Sequence, residues 1–243
     1  MSRPFLELAK LTSAVGRQYA RTRLLRYRPY PKQLAFHAAG RLYDERLLMA
    51  ANQVGKSTAG AAEAALHLTG KYDAWEQATG LRWEGRRFDR PVAGWVGCDT
   101  WVNTRDGMQR LLVGPPAIEA EWGTGLIPGD DLVSVSRRQG AAHCLDGVVV
   151  QHWKNLAPRG APPRLVKDGL STLGFKSYDQ GRERWQGATL DFVGFDEEPD
   201  EDIYTEGKTR TNATGGIVWL TFTPLNGMSK VVLSFQDADG DRF

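Results

Sequence analysis

Residues 46–60 read RLLMAANQVGKSTAG, and this stretch constrains the fold more than any other in the chain. A short apolar run, a loop closed by Gly55, Lys56 and Ser57, and an alanine-rich segment ending at Gly70 give the order strand, loop, helix. A loop entering a helix points backbone N–H groups at an anion, and the helix N-terminus adds positive potential. In the pattern G-x-x-x-x-G-K-[ST] the lysine reaches the β- and γ-phosphates and the hydroxyl sits on Mg²⁺. Lys56 and Ser57 satisfy it, and Gly55 permits the turn before the helix. Ala50, however, stands where the first glycine is expected. A bare GKST is also an ordinary turn and helix cap, so the reading needs support from the rest of the chain.

Two other segments provide it. LDFVGFDEE is an apolar strand that delivers Asp196 and Glu197 side by side at its C-terminal end. Asp196 suits a hard cation, which prefers oxygen donors, and Glu197 suits a carboxylate that orients and deprotonates a water. An acidic helix cap is the plainer alternative, because Glu198, Asp200, Glu201 and Asp202 follow. VWLTFTP ends a second buried strand with Thr221 and Thr223, either ordinary strand threonines or hydroxyls beside a γ-phosphate. Open α/β sheets bind ligands outside the carboxyl ends of their strands, so one nucleotide with its metal would account for all three segments.

The remaining pattern is consistent with such a sheet. A helix is expected over 5–27, broken at YRPYPKQ by Pro29 and Pro31, with helix again over 33–43. PVAGWVGCD (91–99) reads as a strand and TWVNTRDGMQRLLV as the helix after it. Residues 114–140 are expected to be loop. CLDGVVVQHW and STLGFKSYD have strand composition, joined by APRGAPPR, and a helix follows the acidic residues after Phe195. Strands alternating with helices favour a mostly parallel sheet covered on both faces.

Composition excludes some classes. A 41% hydrophobic and 25% charged chain of 243 residues is ordinary for a globular protein. No apolar run approaches the roughly 20 residues of a membrane helix, and no signal peptide is evident. Cys98 and Cys144 lack zinc-site spacing and are expected to be buried thiols. The net charge of +2 is uneven: residues 1–32 hold eight Lys or Arg against Glu7 alone. That segment is either a phosphate-contacting arm or a solvated or packing helix face.

Taken together, YPKQ, NQVGKST, HLTGKY, GFDEEP and TFTP, in that order over roughly residues 29–225, resemble the ATPase domain of the large terminase subunit of tailed bacteriophages. The resemblance implies a RecA-like (ASCE) P-loop NTPase that hydrolyses ATP with Mg²⁺ to move double-stranded DNA into a procapsid. Tolerance of Ala50 is implied too, since the family's first loop glycine is often replaced. Residue by residue, it implies that Tyr30 and Gln33 contact adenine and that Asn52, Gln53, Val54, Gly55, Lys56, Ser57 and Thr58 bind the phosphates. Ser57 and Asp196 would hold the metal, Lys56 and Glu197 would be catalytic, and Thr221, Phe222 and Thr223 would form the coupling motif. The implied partners are DNA, a portal protein, the small terminase subunit and further copies in a ring, expected as a pentamer, with no membrane. The implied location is the host cytoplasm, with transient docking on the procapsid.

The chain departs from the family pattern at two points. Asn52 and Gln53 are neutral where some members carry a loop arginine. ERWQG has Gln186 where an arginine reaching a neighbouring subunit is expected, leaving Arg184 or Arg182 as candidates. The expected organisation is a basic arm at 1–32 and an ATPase domain at 33–243. A C-terminal nuclease domain is not expected in this chain, and Asp237, Asp239 and Asp241 read as a flexible acidic tail. Two other functions fit parts of the pattern: a helicase-like or repair ATPase, which would need a second lobe, and a DNA-binding assembly adaptor with a vestigial nucleotide site.

Overall fold

The computed structural model describes residues 3–158, 160–224 and 229–236; Asp237, Asp239 and Asp241 lie outside them. The chain starts with α1 (Arg3–Ala20) and a 3₁₀ turn (Arg23–Arg26), followed by α2 (Pro31–Ala39), β1 (Glu45–Met49), α3 (Lys56–Thr69) and α4 (Tyr72–Thr79). Next come β2 (Ala93–Cys98), α5 (Trp101–Thr104), a π-helical turn (Arg105–Gln109) and α6 (Arg110–Leu112). The antiparallel strands β3 (Leu132–Arg137) and β4 (Leu145–Asn155) lead to β5 (Leu165–Ser177) and β6 (Phe192–Asp196). α7 (Glu201–Thr211), β7 (Ile217–Phe222) and α8 (Lys230–Ser234) end the described chain.

The seven strands form one sheet in the order β1-β7-β6-β2-β5-β4-β3. The first five are parallel, whereas β4 runs antiparallel to β5, and β3 to β4. β7 is thus inserted between the lysine-loop strand and the acidic strand, in a mostly parallel sheet as expected above. Both faces are covered, as the alternation of β7 shows. Ile217 and Trp219 join the core beneath α3, while Val218, Leu220 and Phe222 join the core that includes Ile203 and Tyr204 of α7. A strand buried on both faces reads as a continuous apolar run, and IVWLTF does.

Three expectations are corrected. The first helix ends at Ala20 instead of continuing to 27, because the Thr22 hydroxyl donates to the Gln18 and Tyr19 carbonyls and competes with further helical bonding. The second helix begins at Pro31, since the first helical position needs no backbone donor. The stretch 114–140 is not all loop: β3 lies within it, and its weak apolar pattern reflects an edge strand without fully buried residues.

One ion pair fixes the elements flanking the lysine loop. Arg46 on β1 and Glu63 on α3 are fully buried, and Arg46 Nη2 donates to Glu63 Oε1 at 2.6 Å. Arg46 Nη1 also donates to the Phe36 carbonyl near the end of α2, and His37 and His67 meet the same carboxylate. Burial alone pushes the Glu63 carboxyl up, but Arg46 and the histidine hydrogen bonds outweigh it and hold it well below the ordinary carboxylate range. Removing one partner of such a pair leaves an uncompensated buried charge. Glu63→Ala is therefore expected to lower the unfolding free energy by about 3–5 kcal/mol. In urea denaturation the double variant Arg46→Met/Glu63→Leu, with no charge left to bury, should lose far less.

Candidate nucleotide site

Adjacency in the sheet brings the site together. β1 pairs with β7 at Met49↔Phe222, and β6 pairs with β7 at Asp196↔Thr221. The residues leaving β1, β6 and β7 therefore emerge beside one another at one end of the sheet. Lys56, 8% exposed, donates from Nζ to the Ala51 carbonyl and to Thr223 Oγ1, each at 2.8 Å. Thr223 in turn donates to Asn52 Oδ1 at 2.7 Å. Two positions earlier, the Thr221 hydroxyl donates to Asp196 Oδ1 at 2.8 Å, and the Ser57 hydroxyl favours the ionised form of the same carboxylate. Two hydroxyls at the end of β7 thus link the lysine of one loop to the acid of another strand.

Backbone geometry at the loop explains the replaced glycine. Gly55 has φ +81°, and a Cβ there would lie 2.9 Å from Gln33 Nε2, so glycine is required at that position. Gln53 takes φ +63°, but Ala50 is not among the residues with positive φ. Alanine therefore fits where the sequence pattern expects the first glycine. Glu197 also has positive φ, +68°, a conformation that costs a non-glycine residue energy and that clusters at functional sites. Tyr178 supports this turn from below, its hydroxyl within 3.1 Å of the Gly97, Asp196 and Glu197 carbonyl oxygens.

Both acids are destabilised as anions. Burial pushes Asp196 up to about 6, against the opposing pull of the Ser57 and Thr221 hydroxyls and Lys56. Burial also raises Glu197, with Lys56 opposing and Asp99 reinforcing the shift. Asp99, at the end of β2, was not assigned a role from sequence, although it obeys the same rule as Asp196: an acid placed just beyond an apolar parallel strand. The π-turn likewise left no sequence signal. It brings Gly107 beside Asp196, where a Cβ would sit 3.7 Å from Oδ2.

Other expected residues divide into three groups. Tyr30, two-thirds exposed, lines a cavity of ≈ 670 Å³ with Pro31, Leu48, Met49, Val54 and Lys56, an apolar slot beside the lysine loop. Gln33 borders it but is buried, its Oε1 accepting the Tyr30 N–H and its Nε2 donating to the Gly55 carbonyl. Its amide therefore braces the loop against α2. Thr58 sits in the first turn of α3, and Phe222 is a core side chain. Arg182 is paired with Glu206 of α7 at 2.8 Å, and exposed Arg184 lines a small cleft with Trp101, Arg138 and Lys176. Neither arginine contacts Lys56, Asp196 or Glu197 among the described residues. Cys98 and Cys144 are buried free thiols, as expected.

Comparison with known proteins agrees with this arrangement. Residues 47–241 match the family model described as terminase large subunit, T4likevirus-type, N-terminal. The chain is 44% identical over 223 residues to the terminase large subunit of Salmonella phage P22, a match covering 89% of this chain and 43% of that protein. The chain belongs to the large terminase subunit family. It spans less than half the length of that curated relative. Two solved structures of the large terminase from a thermophilic bacteriophage also align. One gives TM-score 0.47 at 13% identity over 81% of this chain and 39% of the other; the second, a complex with ADP, gives 0.41 at 14% over 79% and 38%.

The donor set of this terminase-family chain fits a nucleotide-bound magnesium ion. Ser57 and Asp196 offer one hydroxyl and one carboxylate side by side, and no cluster of three or more His, Cys, Asp or Glu able to hold a metal exists among the described residues. Mg²⁺ is characteristically held by one or two protein oxygens, with phosphate and water completing its shell. The raised value at Asp196 has a consequence for stability without ligand. A carboxyl whose folded pKa exceeds its ordinary value penalises the folded state above that pKa, and the penalty is relieved as pH falls through it. Asp196→Asn is therefore expected to raise thermal stability at pH 7–8 by about 1–3 kcal/mol. It should also reduce the gain expected of the unsubstituted protein on acidification through about pH 6, leaving the part due to Glu197. Scanning calorimetry from well above to just below that value measures both.

Proposed function

We propose that this chain binds Mg²⁺ and ATP at the β1–β6–β7 end of the sheet and hydrolyses ATP as the motor domain of a DNA-packaging terminase. The observation that carries the reading is the pair of contacts Lys56–Thr223 and Thr221–Asp196, which unites residues far apart in the chain around one loop suited to phosphates. The bound ion would neutralise phosphate charge. Lys56 exchanges its present carbonyl and hydroxyl partners for phosphate oxygens, where its charge opposes the negative charge developing in the transition state. Backbone N–H groups at the N-terminus of α3 add positive potential at the same point. Glu197, half-buried and raised by that burial, is suited to hold a water and receive its proton. The apolar slot at Tyr30, Pro31 and Val54 has the size and character for a purine base.

Coupling would run through β7. Thr223 touches both Lys56 and Asn52, so occupation of the lysine by phosphate would change a contact just beyond the strand whose Thr221 bonds Asp196 of β6. An additional cation from a neighbouring copy, Arg184 or Arg182, would complete the charge balance. Double-stranded DNA would be the substrate moved, with a portal protein and small subunit as assembly partners. The test is steady-state ATP hydrolysis with parallel nucleotide binding. Glu197→Gln is expected to lower kcat by about 10²–10⁴-fold while leaving ATP affinity within a few-fold. Lys56→Ala should lose both hydrolysis and affinity. Hydrolysis at the unsubstituted rate in either variant removes the mechanism.

A further inference from the structure

We infer that the duplex touched by this chain runs across the end of the sheet opposite the nucleotide, held by the β4–β5 hairpin tip and the arginine loop at 80–90. This rests on the motor reading for the identity of the polyanion, though not for the existence of the charged surface. Residues 154–167 contain four Lys or Arg and no Asp or Glu. β5 pairs with β2 only from Thr172 onward, so residues 165–171 and their β4 partners extend the hairpin past the start of β2. At about 3.3 Å per residue that overhang is an arm of roughly 20 Å. Its tip is closed by Asn155 Oδ1, which accepts from the Ala157 and Arg164 N–H groups, and is tied to α4 by Asn155 Nδ2 donating to Asp73 at 3.1 Å. Lys154, Arg164 and Lys167 are exposed on this anchored ribbon, and none of them forms an ion pair among the described residues.

Beside the tip lies a cleft of ≈ 600 Å³ lined by Arg41, Arg82, Arg86 and Arg87. Arg87 is neutralised by Asp73 and Glu76. Arg86 is anchored by a 2.5 Å bond to the Gly215 carbonyl, which leaves its charge unmatched, and Arg41 and Arg82 have no ion pair among the described residues. Glu84 is the one acid of the lining that is free of such partners among the described residues. Three other candidate cations are already engaged. Lys208 pairs with Glu45, Arg210 with Glu206 and Arg21 with Asp130. Exposed, unpaired cations on a rigid arm and an adjoining concave arginine wall suit a line of phosphodiesters. Such contacts are sequence-independent and salt-dependent.

The experiment measures anisotropy of a labelled duplex of about 30 bp, long enough to span such a surface at roughly 3.4 Å per base pair, with the full chain over a series of salt concentrations. ATP hydrolysis without DNA is measured in parallel. Lys154→Ala/Arg164→Ala/Lys167→Ala is expected to weaken binding by roughly 10–100-fold at low salt. It should also flatten the slope of log affinity against log salt by about 2–3, near 0.9 per lost phosphate contact. Basal hydrolysis and the thermal midpoint should not change, and Arg82→Ala should act in the same direction, more weakly. Lys208→Ala should bind as the unsubstituted protein does. Unchanged affinity and slope in the triple variant, or loss instead in Lys176→Ala/Arg184→Ala on the nucleotide side, overturns the assignment. Equal displacement of the duplex by polyglutamate overturns it in favour of an acidic protein partner. If the duplex binds as described but no variant or unsubstituted protein hydrolyses ATP, the surface stands and the motor reading fails.

Discussion

The position of β7 between β1 and β6 is the constraint on which the rest of the site depends. A parallel strand paired on both sides has its register set by two hydrogen-bond ladders, Met49↔Phe222 on one flank and Asp196↔Thr221 on the other. Its last residues are therefore placed between the lysine loop and the acidic strand end with little freedom. Thr221 and Thr223 turn to the same side because strand side chains alternate, which leaves Phe222 between them to enter the core. One short segment thus anchors itself by burial and joins the two halves of the site by hydrogen bonds.

The loop is held from beneath by a second constraint. Arg46 lies near the start of β1, the strand before the loop, and Glu63 sits two turns into the helix after it. Their pairing in a dry interior fixes the angle between strand and helix, while Gln33 braces Gly55 from α2. Asp196, buried, and Glu197, half-buried, both raised, sit beside the loop that this rigidity positions. Desolvation that disfavours these carboxylates would strengthen the hold on a charge-matching ligand, since electrostatic interaction grows as water is excluded.

Much of this was legible in the chain. The order strand, glycine loop, alanine-rich helix located Lys56 and Ser57, and the run ending in Asp196 and Glu197 located the acids, because a strand buried on both faces must be uniformly apolar until it leaves the sheet. Gly55 also followed from its place before the helix. Other features were hidden for physical reasons. Arg46 inside an apparent apolar strand gave no hint that its charge is matched by Glu63, since the partner lies on another element. Asp99 carried the right local signal but needed its electrostatic coupling to Glu197 to acquire meaning. β3 was missed because an edge strand without fully buried residues has weak periodicity. Gln33, expected to contact the base, borders the apolar slot and also braces the loop, a role hidden because which partner an amide chooses depends on what packs against it.

The linear order of residues by itself determined the chemistry available: a lysine and hydroxyl at a loop entering a helix, an acid pair at a strand end, threonines at another, and a cationic stretch without acids at 154–167. These follow from local propensity and hydrophobic periodicity, which act over a few residues. Only the tertiary structure decided which of these groups meet, which cations are spent on internal partners and which remain exposed. Strand order and burial are collective outcomes of packing the whole sheet. They bring Lys56 beside Thr223, and they place the unpaired arginines and lysines at the opposite end.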